Sequence, residues 1–307
     1  MTGKTFQKPV VVVGSINADL VCQVARIPSP GETLLGSGFR IYPGGKGANQ
    51  AVAAARLGCP TYIIGKLGND AFADILRASL NNAGVNTSVV ETTNETSGVA
   101  LIEVDKTGQN SIVVAPGANA HVLPADLDRH INLLRSAGVV LAQLEVPIPT
   151  IVHLALLCQR EKIPLILDPA PACALPDEVL QSVRWLTPNE TEAAFYTNTQ
   201  DVDAQRQAFF ARGVMGVVLK RGASGVVLAE QNGSRAELPA FKVKAVDSTA
   251  AGDAFNGAFA AALMLGADAP QAARFASAAA AISVTRAGAQ PSMATREEVD
   301  ALLQTQI

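Results

Sequence analysis

Histidine is scarce in this chain and cysteine nearly so. Only His121, His130 and His153 occur in 307 residues, none at a metal-ligand spacing, and Cys22, Cys59, Cys158 and Cys173 form no CxxC pair. Both sets therefore read as structural, and a zinc or disulfide framework is not expected. Basic runs are also missing: 24 Lys and Arg stand against 27 Asp and Glu, a net charge of −3, which argues against nucleic acid or an anionic membrane as partner. The apolar run before Gly14 in MTGKTFQKPVVVVGS is too short for a signal peptide or a membrane span. A reduced, cytoplasmic protein is the expectation. The turn Gly14-Ser15-Ile16-Asn17-Ala18-Asp19 carries one glycine where a dinucleotide fold has GxGxxG, and Lys46 is followed by Gly47 where a Walker A motif has Ser or Thr. No internal repeat or low-complexity segment is present.

What is present is a core and a regular alternation. With 49% hydrophobic residues the chain can bury a large interior as one main domain. Val10–13 reads as a strand buried on both faces. From residue 139 onward, strand-like runs at 139–144, 165–167, 183–186 and 217–219 alternate with helical stretches such as 150–160 and 205–212, the pattern of a mainly parallel sheet with helices on both faces. Ligands in such folds lie beyond the carboxyl ends of the strands, which is where Glu145, Asp168, Asn189, Glu192 and Lys220 fall. Apolar runs at 97–104 and 110–115, split by Lys106, Thr107 and Gly108, join extended pieces between 21 and 41 into a small separate sheet. That sheet is a lid closing over a ligand, or a plain β-extension of the main domain.

The chemistry is organised around AVDSTAAGDAFNGAFAAALML, residues 245–265. The turn Ala250-Ala251-Gly252 leads into an alanine-rich helix that ends before Gly266. Its first unpaired N–H groups and the positive end of its dipole form an anion hole. Asp253 in that first turn is either a helix cap or a general base taking a hydroxyl proton during phosphoryl transfer. Asn17 and Asp19 stand two apart on an extended segment, so they share a face and can hydrogen-bond sugar hydroxyls. Gly44-Gly45 before Lys46 permits close backbone approach ahead of an alanine-rich helix at 48–57, as a structural join or a ligand cradle. The alanine-dense run 272–281 reads as a closely packed helix.

These motifs together resemble the ribokinase family of sugar kinases. The resemblance runs nearly end to end: GGKGANQAVAA from Gly44, Gln143-Leu144-Glu145, PAPA from Pro169, TPNETEA from Thr187, AAGDAFNGA from Ala250 and VTRAGAQPS from Val284. It implies a ribokinase-like three-layer α/β sandwich with a small β lid at about 17–45 and 97–116. It further implies ATP-dependent phosphorylation of a sugar, D-ribose at its 5-hydroxyl, with magnesium and a potassium activator, in a homodimer joined through the lid. Asn17, Asp19, Gly44, Gly45, Lys46, Asn49 and Glu145 match positions that hold sugar hydroxyls. Asp253 matches the catalytic base, and Ala250, Ala251 and Gly252 the anion hole. Asn189 and Glu192 match the motif for ATP phosphates and magnesium. Lys220, Gly222, Ser224 and Gly225 match a nucleotide loop, where Lys220 replaces a smaller hydroxyl residue, and Ser277 a position near the adenine. Asp247, Thr249, Ser283, Arg286, Gly288 and Ser292 match a monovalent-cation site; the competing reading has Asp247 capping its turn and pairing with Arg286. A kinase for a related sugar or nucleoside such as 2-deoxyribose is the rival enzyme, and an inactive sugar-binding regulator the rival of another class.

Overall fold

The computed structural model describes residues 8–305; of the N-terminal stretch discussed above, residues 1–7 lie outside the described residues. No helix among the described residues is long and apolar enough to cross a membrane. The strand Val10–Val13 shows how the fold is layered. Val10 and Val12 pack into one apolar cluster and Val11 and Val13 into another, on opposite faces of the main sheet. A strand buried on both sides has no reason to alternate polar and apolar residues, hence four consecutive valines.

Among the described residues the main sheet has nine strands. From one edge the order is Arg235–Leu238, Val226–Glu230, Gly216–Lys220, Trp185–Leu186, Leu165–Leu167, Val139–Ala142, Val10–Val13, Thr61–Ile64 and Val85–Asn86. Seven run parallel, and Val226–Glu230 is antiparallel to both of its neighbours. One face is covered by the helices Lys46–Arg56, Ala251–Met264 and Ala269–Ser283, the other by helices including Ile148–Glu161 and Val202–Ala211. The architecture is the expected α/β sandwich. Two short helices, Pro124–Arg129 and Ile131–Ser136, meet at His130.

Small residues let the helices that carry the site approach closely. A Cβ on Gly257 would lie 2.4 Å from the backbone oxygen of Gln50, so the helices Ala251–Met264 and Lys46–Arg56 nearly touch backbone to backbone. Gly257 is one turn beyond Asp253 on the same face. The approach that fits it therefore also brings Asn49 and Gln50 to Asp253.

The separate small sheet has four strands in the order Ser37–Gly44, Asn17–Gln23, Gly98–Val104 and Asn110–Ala115. The two outer pairings are antiparallel and the central one parallel. It leaves Phe39, Leu101 and Val113 at least half exposed, at 61%, 51% and 62%. The four cysteines are free thiols, and burial pushes those of Cys59 and Cys158 up to about 12.

Candidate active site

The parallel strands end on one side of the molecule, and the polar residues cluster there. Lys46, Asp168, Asn189, Glu192 and Lys220 line a cleft of about 680 Å³ with the turn Ala250, Ala251, Gly252 and Asp253. Gly222, Gly225, Phe241, Val243 and Ser277 line its more apolar part. Ala223 and Gly225 line the cleft but Ser224 between them does not; its N–H donates to Arg221 O at 2.9 Å within the turn.

Asp253 lies at the inner end of the cleft and is almost wholly buried. The turn before it is tight enough to force Ala250 to a φ of 57°, a left-handed conformation costly for a residue with a Cβ. Ala251 N–H donates to Ser248 O at 3.2 Å, so the first-turn amides left for a ligand are those of Gly252 and Asp253. Asp253 does not cap the helix with its side chain. Its Oδ1 accepts from Gln50 Nε2 at 2.9 Å and its Oδ2 from Asn49 Nδ2 at 3.0 Å. Burial pushes its carboxyl up to about 6, opposed by Lys46 and aided by Asp168.

The residues expected to hold hydroxyls gather beside it. Ser15 Oγ and Lys46 N–H both donate to Glu145 Oε2, at 2.5 and 3.2 Å. Asn119, buried, donates through Nδ2 to Asn17 Oδ1 at 2.7 Å and fixes that amide. Gly44 is required by contact, since a Cβ there would sit 2.1 Å from Asp19 Oδ2. Gly45 is required by both conformation and space, with φ 88° and a Cβ that would approach Asn17 N to 2.7 Å. Burial and the nearby carboxylates of Glu145 and Asp253 push Asp19 up to about 7. For Lys46 burial works against its charge, but Asp253, Asp168, Glu145 and Glu192 outweigh it and raise its pKa, so the ammonium stays charged. Asn49 Oδ1 is buried without a partner, an acceptor aimed at no protein donor.

Further along the cleft, Asn189 and Glu192 form a capping box at the helix Glu190–Thr197. Asn189 N and Nδ2 donate to Glu192 Oε2 and Oε1, each at 2.8 Å. Burial, then Asp168, raise the Glu192 pKa. Lys220 reaches across the cleft, its Nζ donating to Asp168 Oδ1 at 3.0 Å.

The residues expected at a cation site lie where two turns are clamped together. Asp247 Oδ1 accepts from Thr249 N–H at 2.9 Å and Oδ2 from Gly288 N–H at 2.8 Å. Val284 O accepts from the N–H groups of Val246 and Asp247. Burial opposes the Asp247 charge, but the Thr249 and Gly288 hydrogen bonds outweigh it and hold its pKa below the usual range. Arg286 pairs with Glu298, not with Asp247. Ser283 and Ser292 are buried, donating to Ala280 O and Ala289 O.

Sequence reasoning missed Gln50, Ser15 and Asn119 and gave Asp168 no role beyond its position. Gln50 and Ser15 stood inside motifs already singled out, which was signal enough to place them near the site. Asn119 offered none.

An open helix start, a buried carboxylate and a cluster of polar side chains meet at the strand ends of an α/β fold, an arrangement suited to phosphoryl transfer. Residues 7–296 match the pfkB family of carbohydrate kinases, and the chain belongs to that family. A ribokinase of Haemophilus influenzae is 40% identical over 299 residues, covering 95% of this chain and 97% of that one. A deoxyribokinase of Salmonella typhi is 36% identical over 301 residues, covering 96% and 98%. The structure of Arabidopsis thaliana ribokinase complexed with ribose and ATP superimposes with a TM-score of 0.91 at 37% identity, covering 97% of this chain and 99% of that one.

Proposed function

We propose that this chain transfers the γ-phosphoryl group of ATP to the 5-hydroxyl of D-ribose, giving ribose 5-phosphate. The observation that carries the reading is the position of Asp253. It is held by two side-chain amides at the junction between the cleft and the Asn17, Asp19 and Glu145 cluster. Asp253 takes the hydroxyl proton as the oxygen attacks, and the Gly252 and Asp253 amides stabilise charge on the transferring group. Asn17, Asp19, Lys46, Asn49 and Glu145 hold the sugar; the free Asn49 Oδ1 supplies an acceptor for one of its hydroxyls. ATP lies along the cleft, its phosphates near Lys220, Asn189 and Glu192 and its base by Ser277. Positioning and charge stabilisation do most of the work. The small sheet closes as a lid and removes water, which strengthens the anion hole.

Two cations fit the residues present. Asn189 and Glu192 line the cleft with oxygen donors, the ligand type magnesium takes, so they would hold that ion, which would supply charge neutralisation on the phosphates. Asp247, with Thr249, Ser283, Arg286, Gly288 and Ser292, offers an oxygen-only donor set of one carboxylate with backbone carbonyls and hydroxyls, suited to potassium. Two copies pair through the exposed apolar residues of the lid. ATP as donor fits a cytoplasmic setting.

Ribose and 2-deoxyribose differ by one hydroxyl, and overall identity to ribokinases and deoxyribokinases does not separate them. A panel of pentoses with ATP, with the product located by phosphorus NMR, decides it. Ribose should lead with the phosphate on C5; preference for 2-deoxyribose would overturn the substrate and leave the family intact.

A further inference from the structure

Gln50 is fully buried and bonded on every side. Its Nε2 donates to Asp253 Oδ1 and to Asp168 Oδ2, both at 2.9 Å, and its Oε1 accepts from Gln143 Nε2 at 2.5 Å. The Gln143 bond fixes which end of the amide faces the two carboxylates. Asp168 in turn accepts from Lys220 Nζ at 3.0 Å. A continuous chain thus runs from the nucleotide loop through Lys220, Asp168 and Gln50 to the carboxylate of Asp253. The helix-to-helix approach at Gly257 leaves the Gln50 backbone no room to retreat. An amide with both hydrogens committed to two acids holds each at a set distance and angle, which a packing residue would not do.

We propose that Gln50 is a positioning residue for phosphoryl transfer, orienting the Asp253 carboxylate and tying it through Asp168 to Lys220 on the nucleotide loop. This rests on the reading of Asp253 as the base. The charged groups around Asp253 are Lys46 at the start of its helix, Asp168 after Leu165–Leu167 and Asp19 on the small sheet. The Gln50 hydrogen bond favours the Asp253 carboxylate, and the Asp168 charge disfavours it.

The two substitutions Gln50→Met and Asp168→Asn therefore move the acid limb of kcat against pH in opposite directions. Gln50→Met removes both donors at nearly the same volume. Ribose affinity by calorimetry should stay within about threefold, kcat should fall on the order of 10-fold or more from lost orientation, and the limb should shift to higher pH. Asp168→Asn removes a like charge, so its limb should shift to lower pH. If Gln50→Met does not fold, Gln143→Met, which removes the donor to Gln50 Oε1 and leaves that amide unfixed, decides in its place: its limb should shift to higher pH, and an unmoved limb overturns the proposal. A residue that merely packs the core would lower thermal stability while leaving the limb at the wild-type pH; that result, or a shift of opposite sign, overturns the proposal. Asp253→Asn separates the two readings. If it loses turnover while Gln50→Met keeps the wild-type profile, only the role of Gln50 fails; if it keeps turnover, the reading of Asp253 as the base fails.

Discussion

Asp19 and Asp253 are acids that the fold makes reluctant to ionise. Burial pushes one up to about 7 and the other up to about 6. For a base this is useful, because a carboxyl near pH 6 is ionised at neutral pH yet basic enough to take a proton in the transition state. The pairing of Asn17 with Asp19 was legible from their spacing alone, since alternate residues of a strand share a face; both lie on Asn17–Gln23, opposite Gly44 and Tyr42. Gln50 was not legible as an orienting group. In an alanine-rich helix it reads as any polar residue, and its partners Asp168 and Asp253 lie 118 and 203 residues away in the chain. The same distance hid Asn119, which meets Asn17 across 102 residues. Contacts that join remote segments leave no periodic trace in either segment.

At the scale of elements, strands and helices with strong patterns were legible to within a few residues, and those whose pattern is broken were not. His130 divides a run that otherwise reads as one helix. The antiparallel strand Val226–Glu230, which follows directly on Gly225, and the edge strand Arg235–Leu238 were not anticipated; the second alternates exposed with half-buried residues, the pattern of an edge with one solvated face. Asp247 holds Thr249 and Gly288, just before the Ala251–Met264 helix, so a cation bound at this clamp stiffens the anion hole without touching sugar. Replacing sodium or a large organic cation by potassium at constant ionic strength should raise turnover several fold with little change in sugar affinity, and Asp247→Ala should abolish the rise. Equal rates in all three salts would remove the cation site.

For the whole molecule, the layering followed from the alternation of strands and helices, and the small sheet from two β-runs split by a turn. Whether that sheet is shared between two copies is a matter of surface. Phe39, Leu101 and Val113 stand on it largely exposed, and edges and apolar faces of this kind associate. Light scattering at micromolar concentration should give the mass of a dimer; a monomer mass would end the pairing. The central claim is that the groups assembled at the strand ends transfer phosphate through Asp253, and it is tested most directly by the turnover of Asp253→Asn with ribose and ATP, set beside its ribose affinity. Affinity should stay within a few fold of wild type and turnover should fall on the order of 10²-fold or more. Turnover close to wild type would contradict it.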